Sequence, residues 1–156
     1  MKKNQGFTLI ELLAVIIILG VIGLIVFPSV LDSISDSKEK LYVEQVDRII
    51  TEAESWASTH DSKLPDSKEN STPIKISVEL LKKAGLLKNE TIKNPLNSSE
   101  VMNSPIIIYY DSEYNQYLTV YSDLEYGDKY YKNSTDYENV KNICNRTDLI
   151  EVTSNI

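Results

Sequence analysis

Glu11 is the one ionisable residue between Lys3 and Asp32, and it sits near the start of a run, Phe7 to Phe27, that is otherwise apolar except for Thr8. A carboxylate placed in such a run needs a partner or water, because an ionised group in hydrocarbon is strongly disfavoured. Within the chain the nearest cations are Lys2 and Lys3, eight or more residues upstream, and nothing basic follows until Lys38. Two readings of Glu11 remain. It is solvated at headgroup depth, or it pairs with a cation brought by another molecule or by a new amino terminus made nearby.

Other residues that could do chemistry are isolated. Cys144 is the single cysteine, which excludes an intrachain disulfide and any zinc site of several thiolates. It reads as a small buried apolar side chain. His60 is the single histidine, so a Cys-His or Ser-His-Asp constellation would rest on one imidazole at the end of a predicted helix. The residues point to a non-enzyme without cofactor or metal. Asp123, Glu125, Asp128 and Asp136 fit no recognised calcium loop and read as a solvated acidic surface. The Asn-x-Ser/Thr triplets at Asn70, Asn89, Asn97, Asn133 and Asn145 are expected by chance in so Asn- and Ser-rich a chain. A net charge of −7 makes nucleic acid an unlikely partner, although Lys82, Lys83, Lys88 and Lys93 form a local exception.

The element that must position Glu11 is a helix. Phe7 to Phe27 supplies the ~20 residues needed to cross a hydrocarbon core. A cleaved secretory signal would place a small-x-small site after the apolar core, but Val26-Phe27-Pro28-Ser29-Val30-Leu31 contains neither that pattern nor a lipobox cysteine. The run is therefore expected to stay in the mature protein as a membrane helix. Pro28 leaves the carbonyl of Leu24 without its helical donor, and Gly20 and Gly23 weaken the same segment, so the three mark a point of helix flexibility. Close helix packing in a membrane is the alternative use of the two glycines.

Lys2-Lys3 followed by Gly6-Phe7-Thr8-Leu9-Ile10-Glu11 resembles the processing and assembly signature of type IV prepilins and the related pseudopilins. The resemblance implies that a prepilin peptidase and methyltransferase cuts after Gly6 and methylates the amine of Phe7. It implies that Glu11 then pairs with the terminal ammonium of Phe7 in a neighbouring subunit, a pairing that also fixes axial register. Thr8, Gly20 and Pro28 fall where many pilins carry threonine, glycine and proline, and the stretch from Gly20 to Pro28 is implied to melt on assembly. Implied partners are other pilin subunits, a pilus assembly platform membrane protein and, before assembly, membrane lipid. The expected place is the cytoplasmic membrane, single-pass with the C-terminal part outside the cytoplasm, and then an extracellular filament. The implied function is a structural subunit of a type IV pilus or related filament. Alternatives are a pseudopilin of a type II secretion or competence system and a membrane-anchored binding module that never polymerises. The lone cysteine departs from the C-terminal disulfide of many pilins.

Downstream, Leu31, Ile34, Leu41, Tyr42, Val46, Ile49, Ile50, Ala53, Trp56 and Ala57 recur at three- and four-residue steps, which predicts an amphipathic helix. The serine-rich stretch 32–37 has low helix propensity and suggests a joint. The segment 61–72 reads as a loop, Ser77 to Gly85 as a short capped helix, and Ile106–Tyr110 with Gln116–Tyr121 as a β-hairpin. A further strand is expected at Tyr130-Tyr131 and a short helix over Tyr137, Val140, Lys141 and Cys144. Nine of the ten tyrosines lie between Tyr109 and Tyr137, which fits half-buried strands and core better than a sticky face. The expected organisation is a leader at 1–6, a transmembrane and polymerisation helix at 7–30, its amphipathic continuation at 31–60 and a head at 61–156. The fold class is α+β, a long N-terminal helix packed on a small antiparallel sheet.

Overall fold

The computed structural model describes residues 7–67, 71–131 and 134–153, with the backbone alone for 134–136. The chain divides into two compact units, one ending at Lys38 and one beginning at Glu39. A single helix, α1 (Leu9–Thr59), contributes to both. The serine-rich stretch does not interrupt it, because Ser33 and Ser37 turn their hydroxyls back onto the carbonyls of Ser29 (2.9 Å) and Ser33 (2.7 Å). Hydroxyls spent this way stop competing for the backbone in other conformations. At the far end the carbonyl of Trp56 accepts from the Thr59 hydroxyl at 2.9 Å, and His60 Nδ1 lies 2.8 Å from it. Those contacts occupy an acceptor that the last turn would otherwise leave bare.

The second unit is built on a four-stranded sheet of order β3-β2-β1-β4, with β1 at Ile74–Ile76, β2 at Ile106–Asp111, β3 at Gln116–Tyr121 and β4 at Ile150–Glu151. The β2–β3 hairpin is antiparallel with Ile106 opposite Tyr121 and Asp111 opposite Gln116, as its alternating pattern predicts. β1 pairs antiparallel with β2, but β4 lies parallel to β1. The sheet is therefore mixed, which corrects the antiparallel expectation. Parallel neighbours need a long crossover, and here the chain between β3 and β4 supplies it through α3 (Gly127–Tyr130) and α4 (Ser134–Cys144).

Both faces of the sheet are covered. Along β2, Ile106 and Ile108 point toward the core that also holds Tyr42, Val46, Ile49, Ala53 and Trp56 of α1, with Ile74 and Ile76 from β1. Ile107 points the other way and packs with Val120 and with Val140, Ile143 and Cys144 of α4. Alternation along a strand sends neighbours to opposite faces, so three consecutive isoleucines require apolar cover on both sides. Helix α2 (Val78–Lys83) closes the first core; the Ser77 hydroxyl accepts from Leu80 N–H at 3.1 Å. It ends in a Schellman turn, with Leu86 N–H donating to the Leu81 carbonyl and Gly85 at φ 75°, a conformation glycine adopts without steric cost.

The strand expected at Tyr130-Tyr131 is absent: Tyr130 closes the single turn α3 and Tyr131 follows it. Gly127 explains the local path, since a Cβ there would lie 2.6 Å from the ring of Tyr137. The two tyrosines work through their side chains instead. Tyr130 donates to Asp47 of α1 at 2.7 Å, and the Tyr131 hydroxyl meets both the N–H (3.2 Å) and the carbonyl (3.3 Å) of Tyr121. Burial raises the phenol pKa of Tyr131, and burial raises that of Tyr121 to about 12.

Tyr42 is the polar link across the first core. Its hydroxyl donates to the buried carboxylate of Asp123 at 2.7 Å, and Asp123 also accepts from the N–H groups of Glu125 and Tyr126. Removing the hydroxyl leaves a buried carboxylate short of one donor, and a hydrogen bond to a charged group contributes about 1.5–3 kcal/mol. Tyr42→Phe is accordingly expected to lower unfolding free energy by that amount in urea titration, with the spectrum of the folded state unchanged. An unaltered midpoint would contradict it.

Candidate processing and assembly site

The first unit carries the residues that the sequence singles out. Gly6, Lys2 and Lys3 lie outside the described residues. Phe7 precedes α1 with its side chain 86% exposed, and Thr8 occupies the N-cap. Glu11 lies in the first turn. The Thr8 N–H and the Thr8 hydroxyl both donate to Glu11 Oε2 at 2.8 Å, and the Glu11 N–H faces Thr8 Oγ1 at 3.4 Å. This is a capping box, the reciprocal arrangement that satisfies donors otherwise orphaned at a helix start. Its signature, Thr-x-x-Glu ahead of an apolar run, is present in the sequence. Solvation and charge pairing, the two uses expected of Glu11, do not include this local role. The cap fixes the carboxylate at the N-terminal rim of α1, where the helix dipole also favours an anion.

From Glu11 to Leu31 the helix is bare. Every large apolar side chain from Phe7 to Leu31 is at least 46% exposed. The segment has a mean hydropathy of 3.1 over its most apolar window, none of which is buried. A core helix of that composition would be covered by its own protein; this one presents its apolar surface all round, as a helix does that is meant for lipid or for other helices. Gly20 has nothing within 4 Å of where a Cβ would sit, and at Gly23 the nearest atom is the Phe27 ring at 3.4 Å. Pro28 lies inside the continuous helix, so the Gly20–Pro28 stretch is helical.

The family described as the prokaryotic N-terminal methylation motif matches residues 1–27. The chain carries a type IV prepilin-like signal. That signal implies processing by a prepilin peptidase and assembly with other pilin subunits. Together with the apolar first part of α1 it fits anchoring in a membrane. The matched segment covers the exposed part of α1 and none of the sheet-bearing unit. No curated protein and no solved structure matches the chain.

The remaining candidates do not gather. His60 stacks on Trp56 at a centroid distance of 4.4 Å, while Cys144 lies on α4, where burial pushes its thiol up to about 11. Among the described residues no three of His, Cys, Asp and Glu converge as metal ligands. Asp123 is engaged with Tyr42, and the side chain of Asp136 lies outside the described residues. Most tyrosine hydroxyls are used inside the unit: Tyr110 donates to Asn115, Tyr117 to the carbonyl of Pro65 and Tyr137 to that of Leu124. That usage is structural, as tyrosine at the edge of a core normally is.

Proposed function

We propose that this chain is a structural subunit of a type IV pilus or related filament, held in the membrane by the first half of α1 and then polymerised through it. Residues 1–6 are the leader, 7–30 the transmembrane and polymerisation helix, 31–60 its amphipathic continuation and 61–156 the head. Cleavage after Gly6 with methylation of Phe7 leaves a cationic amine two positions before the first helical residue. The observation that carries the reading is the placement of Glu11: a carboxylate held by Thr8 at the rim of an uncovered apolar helix. A neighbouring subunit that brings its Phe7 ammonium to this carboxylate neutralises two charges that lipid disfavours. Axial register follows, because one stagger brings the two charges together. Gly20 and Gly23 let helices approach closely in the polymer, and Gly20 to Pro28 is the stretch that gives way on assembly.

Mass spectrometry of the protein purified from its native cells tests the processing step. The expected N-terminal peptide begins at methylated Phe7. A terminus at Met1 would instead describe a membrane-anchored module that does not polymerise.

A further inference from the structure

Arg48, Lys88 and Lys93 line one cleft of about 170 Å3, formed by the outer side of α1 and the segment that follows α2. The only carboxylate lining it is Glu90. The cleft wall is built: Met102 N–H donates to the Ile92 carbonyl at 2.8 Å, Asn94 N–H donates to the Glu100 carbonyl at 3.0 Å, and Lys93 pairs with Val101 across an isolated β-bridge. Among the described residues Arg48, Lys88 and Lys93 form no ion pair, whereas Lys75, Lys82, Lys129, Lys141 and Arg146 each do. Three cations against one carboxylate line this cleft on a protein of net charge −7. Like charges held together repel, and a bound anion relieves that repulsion.

An excess of negative charge makes copies of this chain repel, so packing between copies needs local complementarity. Asp32 and Asp36 supply it. They are exposed, one helical turn apart on one side of α1, and neither forms an ion pair among the described residues. Like charges at this spacing weaken a helix when left alone. The neighbouring hydroxyls of Ser33 and Ser37 are turned onto the backbone and offer them no hydrogen bond of their own. Glu44 and Glu52 stand one turn either side of Arg48 on its own helix, and neither lines the cleft. We infer that the Arg48–Lys88–Lys93 cleft receives the carboxylates of Asp32 and Asp36 from α1 of a second copy. This inference rests on the filament reading for its partner.

A charge swap tests it in the full-length chain. Arg48→Glu with Lys93→Glu is expected to cut filament yield by roughly tenfold or more, because like charges would then face one another. Asp32→Lys with Asp36→Lys is expected to do the same. The fourfold variant carrying both reversals is expected to return yield to within about twofold of wild type. Loss without rescue, or no loss in either double variant, overturns the inference. A second readout does not require filaments. Carbodiimide treatment of membranes containing the wild-type chain is expected to give a covalent dimer whose mapped link joins Lys88 or Lys93 to Asp32 or Asp36. If the wild type builds no filament yet gives this link, the filament reading fails and the cleft assignment stands; a dimer linked elsewhere, or none, overturns the assignment. A labelled DNA duplex bound by the wild type and released by Arg48→Glu/Lys93→Glu would overturn it in favour of phosphate as the ligand.

Discussion

Glu11→Val is expected to remove filaments while leaving cleavage after Gly6 intact. The cut lies before the helix, so the peptidase address survives the substitution. What is lost is the acceptor that Thr8 holds at the helix rim and that a neighbouring Phe7 amine would meet. Removing one member of a desolvated charge pair leaves the other uncompensated, which puts the expected fall in filament yield at roughly a hundredfold or more. Valine also deletes the capping box, and Glu11→Gln separates the two roles. Glutamine serves as well as glutamate at this position of the box, yet it carries no charge. If pairing drives assembly, both variants lose filaments and both retain a methylated Phe7. Normal filaments in Glu11→Gln would reduce Glu11 to a helix cap, and normal filaments in Glu11→Val would remove it from assembly altogether.

Trp56→Ala is expected to be the most damaging single change in the second unit. Trp56 is the largest side chain with no exposed surface, and it packs in the core between α1 and the sheet. Truncating a buried tryptophan costs about 3–5 kcal/mol, a large part of the roughly 5–15 kcal/mol that holds a domain of this kind folded. The loss also takes away the surface on which His60 stacks. Urea titration followed by circular dichroism should place the midpoint far below wild type, and limited proteolysis should open the second unit first. A midpoint within the range of surface substitutions would mean that the core between α1 and the sheet does not hold the unit together. Processing at Phe7 should persist, since the residues that specify it lie in the other unit.

The long helix, the capped helix at Ser77–Gly85 and the β2–β3 hairpin were legible because each repeats a pattern over enough residues to be read. The final helix over Tyr137–Cys144 was legible for the same reason. β1 and β4 were not: three and two residues hold no periodicity, and β4 takes its place only because Ile150 N–H and Val152 N–H find the carbonyls of Pro73 and Lys75. Tyr130-Tyr131 has the composition of a strand, but Gly127 allows a close approach to Tyr137 that turns the chain there instead. The apolar triplet of β2 carried a message that composition alone did not deliver, namely that a helix covers each face. At the site, Glu11 and Pro28 were legible from residue type and spacing, and Phe7 from the resemblance to prepilins. The partnership of Thr8 with Glu11 is written in four residues, as the Thr-x-x-Glu of a capping box.

The Tyr131 hydroxyl that occupies both backbone groups of Tyr121 bears on how these heads tolerate crowding. β3 is one of the two outer strands of the sheet, and an open outer strand is a template on which a foreign strand can grow. Polymerisation would raise the local concentration of heads far above that of free subunits, where such templating is most dangerous. By filling the hydrogen-bonding positions at the Tyr121 end, one phenol shortens the available edge and discourages strand exchange between neighbours. The same tyrosine thus guards the edge of the sheet against strand addition by a neighbouring chain.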